Sequence, residues 1–441
     1  MDLVGTPLFQ RLRGIRQLAM ANLVYPGALH TRFDHSLGVC HVAGLLARHL
    51  PLSDHEVRLV RLAALLHDLG HGPFSHVSEN LLERYADRTS LPAEQKKEKI
   101  HELVTAYLIA HNPPIVQMLG QKMCDQIVKL LSLGHGQPAL KSIVSGPLDA
   151  DKQDYLLRDG LFCGVEYGIF DLHQLHRSLV LHGEDEEKEL MIDPDGVHAV
   201  EQYVLAKYYM TTNVYRHRVR LITDLMIVRA ITLGVEEDDN AELKKIYTFD
   251  NSPAFFDHYT KWDDSRLMNR FAGEAGGKGW CGKLLNQLQL RQLHKRVYSE
   301  HIRDFDAQIG AKLLAIGKKE NDSLRREIED AVATVLKGQF GGEIDPLEVI
   351  LHGFDIKSVR TTSRNDESSM LVRRLPKPKS FEEESSLFAS ITESYMDGYI
   401  EIYAPISWPD RTQRTKLLKT LRQPIHEVIE SIAGASLNGG N

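Results

Sequence analysis

The chain is poor in cysteine, in net charge and in long apolar runs, and each shortage removes a class of explanation. Four cysteines are spread over 441 residues, Cys40, Cys124, Cys163 and Cys281, with no CxxC pair. That spacing excludes a zinc ribbon, and scattered thiols fit a reducing compartment. Fifty-three Lys and Arg stand against 60 Asp and Glu, a net charge of −7, so bulk electrostatics do not favour a nucleic-acid backbone, although a local basic pocket could coexist with them. No apolar stretch is long enough to span a bilayer, and the N-terminus lacks the basic-then-apolar pattern of a secretory signal. The expectation is a soluble intracellular protein without a membrane partner, cytoplasmic with a nuclear location left open. Internal repeats and long low-complexity tracts are missing too, and the length allows two or three domains with a large core.

What is present is helical punctuation. Residues 1 to about 180 read as successive helices broken at Tyr25-Pro26-Gly27, Gly70 to Pro73, Asn112-Pro113-Pro114 and Ser145-Gly146-Pro147. Leu179–His182 and Glu189–Ile192 flank an acidic turn and predict a hairpin. Helices resume over Val197 to Leu233, Glu236 to Asn240 reads as a solvated acidic loop, and a further helical block runs to about Lys337. Strand-like segments follow at Leu347–Leu351, Ser369–Val372 and Tyr399–Tyr403, with polar Thr361 to Ser368 between them, then a closing helix over Thr412 to Ala433 and a frayed Gly/Asn tail. The expected fold class is mainly α, a helical catalytic core with a smaller C-terminal α+β subdomain, divided at 1–235, 236–340 and 341–441.

The informative motif is His67-Asp68 in Leu65-Leu66-His67-Asp68-Leu69-Gly70-His71-Gly72-Pro73-Phe74-Ser75-His76. Leu59, Leu62, Ala63 and Leu66 recur at helical spacing, so the pair extends a helix with one buried face, and Gly70 predicts its stop. A His-Asp pair by itself is common. Here His35 heads a second stripe with Val39, Val42 and Leu46, which turns its imidazole inward, whereas His41 falls on another face and reads as ordinary packing. Ionisable groups at buried helix ends are costly unless paired or metal-bound. With Asp151 downstream, two histidines and two aspartates form a mixed N/O set suited to Fe, Mn, Zn, Co or Ni, with Mg possible. Asp151, Tyr155 and Asp159 follow at i, i+4 and i+8, on one helical face, with Lys152 beside them. Glu79 sits one turn beyond His76, where a carboxylate can fix the imidazole tautomer and keep it protonated. Arg32 offers a planar fork to phosphate oxygens.

The H…HD…D constellation of His35, His67, Asp68 and Asp151 resembles that of the HD-domain metallophosphohydrolases. The blocks Gly5 to Arg13 with Ile15 to Leu18, Tyr25 to Ala28 with Arg32-Phe33, His67 to His76, and Asp151 to Tyr155 narrow the resemblance. They are similar to the dNTP triphosphohydrolases of the sterile-alpha-motif/HD type, without that motif's domain, over roughly residues 5–230. The resemblance implies hydrolysis of deoxynucleoside triphosphates to deoxynucleoside and inorganic triphosphate, with attack at the α-phosphorus and protonation of the leaving 5′-oxygen by His76. It makes His71 and His101 further active-centre histidines and Gln17 and Leu18 sugar contacts. Tyr155 then lines the phosphate and sugar region, Asp159 accepts from the 3′-hydroxyl, and Tyr215 crowds a 2′-hydroxyl. A homo-oligomer, dimer or tetramer, is implied as well. The rival readings are an HD phosphodiesterase or exonuclease on single-stranded nucleic acid and a nucleotide sensor with weak turnover; the intact ligand set speaks against the second.

Two positions depart from that pattern. Gly5 stands where activated relatives carry an aspartate that reads a guanine, and only four residues precede it, so independence from a GTP activator is the expectation. Lys207 stands where relatives carry a phosphate-binding arginine, keeping the charge but losing the bidentate geometry.

Overall fold

A computed structural model describes residues 2–89, 91–132, 136–184, 188–272, 279–357, 370–389, 396–408 and 410–438. Its contacts group the chain into two compact units, Met1–Asn286 with Val359–Glu393, and Gln287–Ser358 with Ser394–Asn441. This partition differs from the three consecutive segments drawn on composition, because the chain leaves the first unit and returns to it.

The first unit is helical, and the helices used below are α1 (Arg32–His49), α2 (Asp54–Leu66), α3 (His76–Tyr85), α4 (Ile100–His111), α5 (Ala150–Cys163), α6 (Val197–Met210) and α7 (Arg218–Glu236). α1 begins at a reciprocal cap, where the Thr31 N–H and hydroxyl both donate to Asp34. Ser53 and Glu56 start α2 in the same way. α1 packs along α2 and against α5. Val39, Val42 and Leu46 of α1 and Leu59, Ala63 and Leu66 of α2 are all buried, while Leu62 is half-buried and His41 is exposed rather than packed. The helix ends one residue before the motif, with His67 as its C-cap in a right-handed conformation. Gly70 is not a left-handed stop. A Cβ there would lie 2.1 Å from the His101 carbonyl oxygen on α4, so glycine is needed for close helix approach.

Among the described residues the strands are β1 (Leu179–His182), β2 (Glu189–Ile192), β3 (Lys295–His301), β4 (Ile350–Lys357), β5 (Leu371–Val372), β6 (Lys379–Ser380) and β7 (Met396–Ala404). β1 and β2 form the expected hairpin, Leu179 opposite Ile192. β5 does not join β4 and β7 but pairs with β6. It also pairs in parallel with β2 in the first unit, and the Arg373 N–H donates to the Ile192 carbonyl while its guanidinium meets Asp193. The predicted acidic loop is only partly solvated: Glu236 ends α7 and accepts from Arg84 and Tyr85, and Asp238 caps Trp280 and Cys281.

The second unit is an antiparallel sheet in the order β3-β7-β4, and β3 interrupts what the sequence suggests is a helical block. Ile400, Ile402 and Ala404 of the central strand bury one face. Against this core lie the helices Asp322–Phe340 and Arg411–Asn438, the latter through Leu421, Ile425, Ile429 and Ala433 at a strict spacing of four. The strand expected at Leu347–Leu351 starts later, after a turn over Pro346–Glu348. Thr361 to Ser369 and the Gly/Asn tail from 439 lie outside the described residues.

Candidate metal and nucleotide site

α1, α2 and α5 bring His35, His67 and Asp151 together, with one ligand atom from each within 4.8 Å of the others. His35 is fully buried. Its Nε2 lies 2.9 Å from Asp151 Oδ1, and its Nδ1–H donates to Asp154 Oδ2 at 2.9 Å. Asp154 is held in turn by Arg158 at 2.8 and 2.9 Å. A ligand imidazole braced by a carboxylate through its far nitrogen is the usual support of a metal histidine. Asp154 carries no role in the sequence reading. Its signals are its place one turn after Asp151 and Gly38 opposite, where a Cβ would sit 1.9 Å from Asp154 Oδ1.

His67 donates through Nδ1 to the Ala64 carbonyl at 2.8 Å, which leaves Nε2 as the open donor atom. That Nε2 is buried and makes no hydrogen bond, although Asp68 Oδ1 is 3.2 Å and Asp151 Oδ1 3.8 Å away. Burial alone lowers the His35 pKa, but hydrogen bonds to Asp151 and Asp154 outweigh it and push it up to about 10. Burial raises Asp151, and the two imidazoles reverse this and hold it well below the carboxylate range. An orphaned imidazole nitrogen, a braced histidine and an ionised carboxylate suit a divalent cation. Asp68 borders this trio: its Oδ2 is 3.7 Å from His35 Nε2 and accepts from Arg32 Nη1 at 2.7 Å.

Arg32 joins this centre to the histidines beyond it. The guanidinium also donates to Ser75 Oγ at 3.0 Å and lies 3.4 Å from His76 Nε2. Its fork is thus engaged by protein groups rather than open. His76 opens α3 as the sequence suggests, directly after Phe74 and Ser75 at φ 61° and 55°. Two consecutive non-glycine residues in the left-handed region are strained. Asp264 holds them, accepting the Phe74 N–H at 2.7 Å and the Arg16 N–H at 3.0 Å, while Ser75 Oγ donates to the Arg16 carbonyl. Neither Ser75 nor Asp264 is singled out by sequence reasoning.

Glu79 does not touch His76 as expected. It accepts from His101 Nδ1 at 2.7 Å and from the Ile100 and His101 N–H groups, so it caps α4 and fixes the His101 ring. The turn at Ser75 aims His76 elsewhere. Burial raises Glu79, and the His101 ring overcomes this to bring it down to about 2. His71 stacks on His101 at 4.1 Å and lies 3.3 Å from Asp68 Oδ1. His76 is the solvent-accessible imidazole of the five; His35, His71 and His101 are buried and His67 is half-buried. Surrounding protein nevertheless desolvates His76, and with the Arg32 and Arg220 cations this lowers its pKa to about 3, so the ring is neutral rather than protonated.

On α5, Asp159 lies two turns beyond Asp151, with Tyr155 between. Asp159 is buried and accepts from Tyr215 Oη at 2.8 Å and from His30 Nε2 at 2.7 Å. Tyr215 ends a single π-turn, Thr211–Tyr215, that continues α6, an irregularity frequent at functional sites. Its ring meets Tyr155 edge-on at 5.9 Å and packs on a cluster of Leu18, Ala21 and Ala28. Gln17 is buried, its N–H donating to the His30 carbonyl at 3.0 Å. The expected sugar contacts Gln17, Leu18, Asp159 and Tyr215 therefore converge. Lys152 turns aside to Asp149 and the Gly146 carbonyl. Lys207 is half-buried; burial and then the Lys152 charge lower its pKa to about 8, with Asp149 opposing.

Residues 32–139 match the HD domain family, and residues 170–416, more than half of the chain, match the HD associated region. An uncharacterized protein of Bacillus subtilis, YwfO, is 31% identical over 288 residues, 61% of this chain and 61% of its own. An uncharacterized protein of Methanocaldococcus jannaschii, MJ1154, is 34% identical over 57% of this chain and 49% of its own length. The Homo sapiens deoxynucleoside triphosphate triphosphohydrolase SAMHD1 is 28% identical over 76% of this chain and 56% of its own length. The matched region thus spans only about half to three-fifths of these relatives. A phosphohydrolase structure from Bacteroides thetaiotaomicron superposes with a TM-score of 0.67 at 22% identity, over 91% of this chain and 94% of that one; at that identity the likeness concerns the fold. A hypothetical protein from Aquifex aeolicus gives 0.62 at 26% identity, over 96% and 94%.

Proposed function

Since this chain belongs to the HD-domain phosphohydrolase family, we propose that it hydrolyses deoxynucleoside triphosphates at the α-phosphorus, releasing the deoxynucleoside and inorganic triphosphate. The observation that carries this reading is the continuity of α5. One helix presents the metal-centre carboxylate Asp151 and, two turns on, the buried Asp159 beside Tyr215, with Tyr155 between them. A bond cleaved next to the sugar calls for a hydrolytic centre and a sugar site on one rigid element.

A divalent cation (Mn, Fe, Zn, Co, Ni or Mg) held by His35, His67 and Asp151 with Asp68 beside them supplies Lewis acidity and a water of lowered pKa. A P–O bond to the water oxygen forms as the bond to the 5′-oxygen breaks. His76, the accessible imidazole, gives that oxygen its proton and regains one from the attacking water. Burial and the Arg32 and Arg220 cations keep His76 neutral, and the triphosphate offsets the cations; Glu79 holds His101 in one tautomer behind His71. Lys207 meets the phosphates while Lys152 stays with Asp149, and Arg32 stiffens Asp68. Tyr215 and Leu18 pack the sugar so that a 2′-hydroxyl is crowded. Exposed Tyr167, Ile169, Tyr208 and Tyr209 support assembly as a homodimer or tetramer through an apolar face.

Incubation of the purified protein with each dNTP, each NTP and a labelled oligonucleotide, across Mn, Mg, Fe and Co, tests the reading by ion-exchange analysis of products. Deoxynucleoside with intact triphosphate is expected. Nucleoside monophosphate with pyrophosphate, or a shortened oligonucleotide, overturns it.

A further inference from the structure

His30 has no part in the reaction so far, yet it touches two of the groups assigned to the sugar, Gln17 and Asp159. Its backbone carbonyl accepts the Gln17 N–H at 3.0 Å, and its Nε2–H donates to Asp159 Oδ1 at 2.7 Å. The other Asp159 oxygen receives the Tyr215 hydroxyl at 2.8 Å. Phe162, from the last turn of α5, stacks on the imidazole with centroids 4.6 Å apart and planes at 28°. His30 is 3% exposed and Asp159 1%. The main chain that carries His30 is itself fixed, because Arg16 bridges Thr31 and the Arg32 N–H donates to the Ile15 carbonyl at 2.9 Å.

We propose that His30 is the positioning residue for 3′-hydroxyl recognition, clamping the Asp159 carboxylate between itself and Tyr215. The proposal rests on the sugar-site reading above and deepens it. An ionised carboxylate has about four lone-pair sites. His30 and Tyr215 take one on each oxygen, which satisfies the buried charge, stops the carboxylate rotating and leaves lone pairs for one further donor. A sugar hydroxyl is such a donor. Without His30, Asp159 keeps only the tyrosine and can swing about its χ2 bond, so an incoming 3′-hydroxyl no longer meets a preset acceptor. A site built to bond a substrate hydroxyl rejects the analogue lacking it far more strongly than steric filtering does. The same contact carries a second structural feature, since His30 Nδ1 is buried without a hydrogen-bond partner. A neutral ring with its single proton on Nε2 leaves Nδ1 a bare acceptor, the less costly way to bury that nitrogen.

The test compares wild type, His30→Ala and His30→Gln, the last keeping a donor near the position of Nε2. Turnover of dATP and of 2′,3′-dideoxy-ATP gives the ratio of kcat/KM values. Calorimetric binding of 2′-deoxyadenosine and 2′,3′-dideoxyadenosine gives the same discrimination without turnover. The expected result is a ratio in His30→Ala at least about tenfold below wild type, as one lost hydrogen bond to a charged group implies. The loss should fall on the 3′-hydroxyl compounds alone, while His30→Gln stays within about threefold of wild type. Melting temperature and metal content establish that the variants are folded and loaded. Equal losses for both sugars in His30→Ala mark a merely structural role and overturn the proposal. Retained discrimination in His30→Ala overturns it while leaving the proposed reaction standing. Absence of dNTP hydrolysis in wild type overturns the reaction, and the nucleoside titrations still decide the role of His30. Equal binding of the two nucleosides by wild type removes the sugar site and this inference with it.

Discussion

Lys207→Arg is the substitution whose effect the structure prescribes in sign as well as size. Lys207 is half-buried near Lys152, and burial with that neighbouring charge lowers its pKa from an ordinary 10.5 to about 8. One unit above that value only about a tenth of the side chain carries its proton. If its charge meets the triphosphate, kcat/KM, which reports the free enzyme, should fall from about pH 8 by up to roughly tenfold per unit. Arginine stays charged throughout this range and can grip phosphate with two donors. The variant should therefore hold its kcat/KM to beyond about pH 10. Stability moves the other way. A lysine whose folded pKa lies below its unfolded value opposes folding most while charged, and that cost lifts as pH rises from about 8 to 10.5. Unfolding of Lys207 origin thus cannot mimic the activity loss, and melting curves run across the same pH series separate the two. The assay is initial rate against one dNTP at fixed ionic strength from pH 6.5 to 10. An alkaline limb at the same pH in wild type and Lys207→Arg would refute the reasoning.

Three further outcomes follow from other contacts. Asp154→Asn removes the ionised brace behind His35, so metal affinity should fall roughly 10–100-fold, read by titration of the apo-protein with Mn; unchanged affinity would mean that His35 is not a ligand. His76→Ala should retain metal while the rate drops about 10²–10⁴-fold, and loss of metal instead would place His76 in the coordination set. Asp264→Ala leaves the Phe74 and Arg16 N–H groups unsatisfied, about 1–3 kcal/mol each, and should lower the melting temperature and kcat together. A variant as stable and active as wild type would show that the Ser75 turn holds without its carboxylate.

How much of this was legible in the sequence depends on the range of each interaction. The stripe of Leu59, Ala63 and Leu66 and that of His35, Val39, Val42 and Leu46 are local and periodic, so two helices and the inward imidazoles could be read directly. The spacing of Asp151, Tyr155 and Asp159 likewise fixed a face, whatever the tertiary context. Glu79 shows where this ends. Periodicity placed it on the face of His76, but two left-handed residues turn the chain just before His76, and the carboxylate meets His101 from another helix. Nothing in Phe74-Ser75 announces that turn, because non-glycine residues seldom adopt it, and Asp264, which holds it, lies almost 190 residues away. β3 was missed for a similar reason: its pattern is mixed, and the central strand that makes it a strand arrives a hundred residues later. His30 lay between the two cases. It is a close neighbour of Arg32 in sequence, but the partner that gives it a role, Asp159, lies 129 residues away. The candidate metal cluster is legible because His35 and Asp151 sit on regular helices and His67 caps another, whereas the residues that brace them act from turns and across long separations.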